Sequence, residues 1–393
     1  MGEENSISCF QIKALNDVAL DKTMKDNTVK AFFALIRANL WEHRNQEIRI
    51  DGSTDWNEIY QLAQEQSVLG LALAGLEHSD IKPPKELLLQ WIGEVQVIEQ
   101  RNKEMNVFIA EQIDKLRKAE VDAVLVKGQG VAQCYERPLW RSCGDVDLFL
   151  NDENYQKAKE LLLPLGKMIE PEEVAKKHFA MGIDGWAVEL HGSLKSGLSS
   201  RVEMELDGVQ VDTFNGGQVR SWMNGQTQVF LLKAENDAFY VFTHILQHFY
   251  KGGIGLRQIC DWSRLLYTYK GSINRDLLEQ RITRAGLMTE WKAFGALVIE
   301  YLGMPVEAMP FYSDSIKWKR KASRIMEFVM MSGNFGHNRD SSYMKYPYLM
   351  RKLVSMGRRI GDLFRHARIF PLDSIMFSFA IMVNGVRSAI RGE

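Results

Sequence analysis

Cysteine and proline are scarce in this chain of 393 residues, with 4 and 9 respectively, and neither sign of charge dominates. Cys9, Cys134, Cys143 and Cys260 show no C-x-x-C spacing. That excludes a disulfide scaffold and a zinc ribbon, and it fits a reducing, cytoplasmic setting. Lys and Arg number 49 against 50 Asp and Glu, for a formal net charge of -1. A generic nucleic-acid coat carries a strong basic surplus, so long nucleic acid is not expected as a partner and any polyanion site must be local. The first thirty residues carry no apolar core of a signal peptide. The longest weakly charged apolar stretch, Ser374 to Val386, falls short of the roughly twenty residues a bilayer needs, so no membrane span is expected. Met1-Gly2 with Ser6 formally fits a myristoylation pattern, but Glu3 and Glu4 suit it poorly and a start-codon glycine is the simpler reading.

What is present is ordinary for globular protein, 46% hydrophobic and 25% charged, which leaves out disordered and fibrous classes. The organisation falls into three stretches. Residues 1–118 read as helices only. Val29 to Leu40 is apolar, and Asp55 with Glu58 starts a helix that runs on through Leu62 to Leu69. Pro83-Pro84 opens the longest helical pattern, with Leu88, Trp91, Val95, Ile98, Met105, Ile109, Ile113 and Leu116 on one packing face. Residues 119–226 form an α/β core. Val121 to Val126, Val146 to Leu150 and Trp186 to His191 read as strands, with a helix from Tyr155 to Leu163. A hairpin is predicted from Glu203 to Leu206 and Val209 to Thr213, turning at Asp207-Gly208. Residues 227–393 are helical again: Glu235 to Tyr250, Leu256 to Tyr269, one long helix from Arg275 to Leu302, and basic amphipathic stretches beyond Pro305 and Pro310. The class is α+β, a small mixed sheet flanked by helical regions on both sides.

The sharpest feature is Gly144-Asp145-Val146-Asp147-Leu148-Phe149-Leu150. Side chains alternate on a strand, so Asp145 and Asp147 share one face, about 7 Å apart. Such a pair repels itself unless a cation sits between, and hard oxygen donors select Mg²⁺ or Mn²⁺. Two solvated aspartates on an edge strand are the plain alternative. Glu189 projects from a strand whose other face, Trp186, Val188 and Leu190, is apolar, and His191 follows on the same side. A third carboxylate is what a two-metal centre needs. Lys127-Gly128-Gln129-Gly130 joins a strand end to a helix, where backbone N–H groups and the lysine suit phosphate. Arg141-Ser142 is a further phosphate donor, or a loop arginine paired with an aspartate. His244 and His248 share a helix face, which suits metal ligands, packing among Phe242, Ile245 and Phe249, or a cleft wall. Arg257 and Asp261 are most simply an intrahelical ion pair.

The run Leu125 to Gly128, then Tyr135, Arg141 to Leu148 and Glu189-Leu190-His191, with His244, His248, Arg257 and Asp261 downstream, resembles the uncharacterised nucleotidyltransferase family. That family belongs to the DNA polymerase β-like nucleotidyltransferase superfamily, and the resemblance covers roughly residues 30 to 305. It implies that Asp145 and Asp147 are the paired metal-binding aspartates, Glu189 the third carboxylate and possible base, and Gly128 the glycine ending the first strand. It implies two Mg²⁺ ions and a nucleoside triphosphate, with Lys127 and the amides after Gly128 neutralising phosphates. Arg257 and Asp261 then help to shape the cleft. The superfamily usually follows that glycine with Gly or Ser. Gln129 stands there instead and the gap to Asp145 is longer, which leaves the grip on the triphosphate open.

Two rivals stay on the page. A D-x-D glycosyltransferase would need several parallel strands before the motif, where this chain is nearly all helical. A nucleotide-binding or regulatory protein that has lost catalysis shares the fold; the three carboxylates argue against it, and Gln129 keeps it open. The acceptor, a small molecule or a protein, is not chosen by the fold. The tail, from Lys317, Lys319, Arg320, Lys321 and Arg324 to Arg351, Lys352, Arg358, Arg359, Arg365 and Arg368, is basic, either as a solvated face or as a contact for phosphates or an acidic partner.

Overall fold

Two hydrophobic periods, one of two residues and one of three to four, build a six-stranded mixed sheet inside a helical surround. The computed structural model describes residues 27–41, 48–50, 54–334, 345 and 347–377. The strands are β1 (Val124–Val126), β2 (Asp145–Phe149), β3 (His178–Ile183), β4 (Trp186–His191), β5 (Val219–Asn224) and β6 (Thr227–Leu232), in the order β3-β4-β2-β1-β6-β5. β2 runs parallel to β4 and β1 parallel to β6, and the other neighbours are antiparallel. The class is α+β.

The helices α1 (residues 27–40), α2 (Trp56–Glu65), α3 (Leu69–Gly75) and α4 (Lys85–Lys118) precede the sheet. Asp55 caps α2 by accepting from the amides of Asn57 and Glu58. That helix stops short of the expected Leu69, because Ser67 takes a positive φ of 55° and the chain restarts as α3. The long stripe of α4 divides between two cores. Trp91 and Val95 enter the helical core, whereas Met105, Phe108, Ile109, Ile113 and Leu116 lie under the sheet. There they meet Leu125, Val146, Leu148, Val188 and Leu190, together with Tyr155, Ala158 and Leu162 of α6 (Asp152–Leu162). The other sheet face contributes Val124, Val126, Phe149 and Leu232 to the helical core.

The predicted hairpin between Glu203 and Thr213 is instead one helix, α7 (Ser200–Phe214). Ser199 caps it by accepting from the Val202 amide, and Val202, Leu206, Val209 and Thr213 form its buried face. That helical spacing outweighs the Asp207-Gly208 turn signal. The Arg281 guanidinium packs closely over Gly208, where a Cβ would lie 2.7 Å from Nη1. The hairpins sit elsewhere. β3 and β4 join through Asp184 and Gly185, both at positive φ, and β5 and β6 through Gly225 and Gln226 with Gly225 at +62°. Position 226 therefore falls inside a hairpin, and the sheet continues to Leu232.

Beyond the sheet come α8 (Ala234–Lys251), α9 (Leu256–Thr268), α10 (Arg275–Ala285), α11 (Met288–Glu300), α12 (Ile316–Ser332), α13 (Tyr348–Ala367) and α14 (residues 371–377), while α5 (Gly128–Ala132) is a short turn after β1. The single helix expected from Arg275 to Leu302 is broken, because Gly286 adopts φ +75° and caps α10. Arg264 of α9 donates to the carbonyls of Cys134 and Leu40, and Trp41 Nε1 donates to Leu302 O at 2.6 Å. The first and last helical regions thus share one core. The basic tail is partly engaged: Lys319 pairs with Asp314 and Glu300, and Arg324 donates to the Arg368 carbonyl. Among the described residues no helix is long and apolar enough to cross a membrane. Met1, Gly2, Ser6, Cys9 and most of the Ser374 to Val386 stretch lie outside the described residues.

Glu290 on α11 is fully buried, and its carboxyl is pushed up to about 8 by burial and by Asp373. A carboxyl whose folded pKa is raised costs stability once the unfolded chain ionises it, so folding weakens as pH rises from the ordinary 4.5 towards about 8. Glu290→Gln is expected to flatten that slope, which urea midpoints at about pH 5 and about pH 8 would measure. An unchanged slope would assign the pH dependence to other groups.

Candidate active site

Strand alternation and register build the site. Along β2 the side chains of Val146 and Leu148 are buried in the core under the sheet, which turns Asp145 and Asp147 to the opposite face. Asp147 stands opposite Glu189 in the parallel β2–β4 pair, and His191 stands opposite His178 in the β3–β4 pair. Asp145, Asp147, Glu189, His191 and His178 therefore form one polar patch across three adjacent strands. Lys127 reaches it from the end of β1. Its backbone is held at φ 56° and ψ -143°, with Gly128 following at φ +40°, a conformation that side chains other than glycine adopt only under strain. The strain is matched by a 2.7 Å contact from Lys127 Nζ to Asp147 Oδ1.

Asp145, His178, Glu189 and His191 line a cleft of about 350 Å³ together with Tyr240, His244 and His248 of α8, while Asp147 lines a smaller adjoining cavity. Asp147 is 1% exposed and its Oδ1 also meets His191 Nε2 at 2.8 Å, while Oδ2 is buried with no hydrogen-bond partner. Glu189 Oε2 lies 3.1 Å from His178 Nε2 and 3.4 Å from His191 Nε2.

Charge is distributed unevenly. Repulsion from Asp147, added to burial, raises the Asp145 carboxyl above its ordinary value. Burial alone would lower Lys127, but Asp147 overrides it and holds the ammonium above its usual range. Burial works against the Glu189 anion, yet the hydrogen bonds to His178 and His191 hold that carboxyl well below the carboxylate range. His191 is likewise pulled down by burial and raised on balance by Asp147 and Glu189. Across the cleft, burial and the nearby Lys127 depress His244 strongly and take His248 down to about 4. That wall is neutral near pH 7, whereas the strand side of the cleft is charged.

Two expected phosphate residues, Gln129 and Arg141, are engaged by partners within the fold. Gln129 is buried, and its Nε2 donates to Asn102 Oδ1 of α4 at 2.7 Å rather than into the cleft. Arg141 pairs with neither aspartate of β2. It grips Asp261 through Nε at 3.1 Å and Nη2 at 2.6 Å, and Tyr135 donates to the same carboxylate at 2.8 Å. Asp261 is thus turned to Arg141, where an intrahelical pair with Arg257 had been the simplest expectation. Arg257 Nη1 donates to the Ser142 carbonyl at 2.7 Å. Lys127, Gly128, Asp145, Arg141 and Arg257 line a second, smaller cavity of about 50 Å³ beside the main cleft. His178 and Tyr240 went unremarked in the sequence. The alternation His178-Phe179-Ala180-Met181 before Asp184-Gly185 is the signal that could have found the first.

A family model described as uncharacterised nucleotidyltransferase matches residues 52–303, more than half of the chain. The chain belongs to that family. The match spans α2 through α11, and so every strand of the sheet, the D-x-D on β2, Glu189 on β4 and the α8 wall. No curated protein and no solved structure matches the chain. Helices α1, α12, α13 and α14 lie outside the matched residues.

Among the described residues, one group of three His, Cys, Asp or Glu side chains has ligand atoms all within 4.8 Å of one another: His178, Glu189 and His191. His244 and His248 stand apart from it, with their rings 4.5 Å from each other.

Proposed function

We propose that this nucleotidyltransferase moves a nucleoside monophosphate from an NTP to a hydroxyl of a small-molecule or protein acceptor, with Mg²⁺ or Mn²⁺ as the ion. The observation that carries the reading is the co-facial set Asp145, Asp147 and Glu189, with Asp147 and Glu189 in direct register. The donor set fits a hard divalent ion: all three donors are carboxylates, Asp145 is strained by its neighbour's charge, and Asp147 Oδ2 is buried without a partner. When bound, such an ion neutralises phosphate charge and makes the acceptor hydroxyl more acidic.

The remaining work belongs to this chain's own groups. The acceptor oxygen bonds to the α-phosphorus, the bond from that phosphorus to the bridging oxygen breaks, and pyrophosphate leaves with the electron pair. Lys127 supplies a fixed positive charge in the cleft for the phosphates. Glu189, held anionic by two imidazoles, is a weak proton acceptor and suits a ligand better than a base, so the hydroxyl proton is assigned to solvent in the cleft. The neutral α8 wall places no competing charge opposite the phosphates. The walls of the cleft leave the choice of acceptor open to polar, hydroxyl-bearing compounds.

Calorimetry with NTP and Mg²⁺, followed by pyrophosphate release with an acceptor series, tests the reading. Lys127→Met is expected to weaken NTP binding about 10- to 100-fold, from the roughly 1.5–3 kcal/mol of one charge-assisted contact. Equal affinity in a folded variant would remove Lys127 from the site. Tight NTP binding without pyrophosphate release across the acceptors would favour a catalytically silent nucleotide-binding protein instead.

A further inference from the structure

Glu189 is the carboxylate of the patch whose ion-pair partners, among the described residues, are imidazoles alone. Asp147 has Lys127 at 2.7 Å, whereas the ion-pair partners of Glu189 among the described residues are His178 and His191. Both imidazoles turn Nε2 to the same oxygen, Oε2, at 3.1 and 3.4 Å. Ligands bound to one ion at about 2.0–2.2 Å sit about 3.0–3.5 Å from each other, so these separations are those of neighbouring ligands as well as of hydrogen bonds. The three side chains come from the β3–β4 hairpin, whose two-residue turn and antiparallel register fix their spacing. They are 24%, 28% and 12% exposed, which leaves room for water on the cleft side.

We infer that His178, Glu189 and His191 form a second metal site, selective for a first-row transition ion such as Mn²⁺ or Zn²⁺ over Mg²⁺. Two imidazoles and one carboxylate are borderline donors that favour transition ions, whereas Mg²⁺ keeps to oxygen and water. Asp145 and Asp147 offer only oxygen, so the two halves of the patch differ in the ion they prefer. The inference goes beyond nucleotidyl transfer and shares only Glu189 with it. His191 Nε2 would exchange its contact with Asp147 for the ion, which links the two halves through one side chain.

The test uses the full chain without nucleotide. Manganese titrated into it is read by electron paramagnetic resonance, with pulsed detection of nitrogen coupling, and by calorimetry alongside Mg²⁺. The expected result is nitrogen coupling from imidazole and Mn²⁺ affinity at least about 10-fold above Mg²⁺. His178→Ala is expected to weaken Mn²⁺ binding about 10-fold or more, to reduce the nitrogen signal and to weaken Mg²⁺ binding much less. His178→Gln keeps a hydrogen-bond donor for Glu189 but no imidazole, and is expected to behave like His178→Ala. Bound Mn²⁺ without nitrogen coupling, or a His178→Gln variant that binds it like the original, overturns the site and leaves only a hydrogen-bonded cluster. A lost nitrogen signal with intact NTP binding defeats this inference alone. An intact signal with no NTP binding defeats the nucleotide reading alone.

Discussion

Asp145→Asn is expected to reduce pyrophosphate release about 10³-fold, the equivalent of roughly 4 kcal/mol of transition-state stabilisation, while raising rather than lowering thermal stability at neutral pH without divalent ions. The two effects have one cause. Asp147 lies beside Asp145 on the same strand face and raises its carboxyl, with burial adding to the shift. A raised carboxyl costs nothing while both folded and unfolded chains are protonated. The cost grows as pH climbs past the ordinary 3.8 and is complete above the raised folded value. Asparagine removes that cost and also removes a hard anionic oxygen. Added Mg²⁺ is then expected to raise the melting temperature of the original chain by mass action and to leave the variant nearly unmoved. A variant that is both stable and fully active would end the metal-site reading. Asp147→Asn makes a poorer probe, since Asp147 is 1% exposed and holds both Lys127 and His191. Stripping a buried charge of its partner costs roughly 3–5 kcal/mol, so lost activity there would be mixed with lost fold.

The same distinction, between local pattern and distant partner, separates what the sequence discloses from what it hides. The α4 stripe, the alternation along β2 and the alternation along β4 are local periods, and each is readable from neighbouring residues. Parity alone puts Asp145 with Asp147 and Glu189 with His191. That Asp147 stands opposite Glu189 depends on β2 lying beside β4, which no single segment specifies. Asp184-Gly185 and Asp207-Gly208 show how a turn signal depends on its flanks. Asp184-Gly185 sits between two alternating runs and turns, whereas Asp207-Gly208 sits in a run spaced for a helix and does not. Missing β3 hid His178, since an unassigned strand has no faces. Gln129 and Arg141 look alike as phosphate ligands from their positions near a glycine turn and a D-x-D. Their directions are set by Asn102, 27 residues before Gln129, and by Asp261, 120 residues after Arg141.

That last contact carries the other large expectation. Asp261→Ala should destabilise the chain by about 3–5 kcal/mol, because it leaves the Arg141 guanidinium buried with no anion. Arg141 and Asp261 are 8% and 5% exposed, and burial is overridden by Asp261 in holding the guanidinium above its ordinary value. Tyr135 donates to the same carboxylate, and Asn102 donates to the Arg141 carbonyl at 2.8 Å. The group therefore ties α4, the chain after α5 and the approach to β2 onto α9, which belongs to the helical half. Its location four residues before Asp145 makes it the anchor of the strand that bears the aspartates. Arg141→Met alone should also destabilise, by leaving the Asp261 anion without its bidentate partner. The double variant Arg141→Met with Asp261→Leu removes both buried charges and should recover most of the loss, since apolar replacements of a buried pair are often near neutral. Urea denaturation of the original chain, Arg141→Met, Asp261→Leu and the double variant closes the cycle and gives the coupling directly. Coupling below about 0.5 kcal/mol would make the contact incidental, and the approach to β2 would then be held by Asn102 and the Arg257 contact to Ser142.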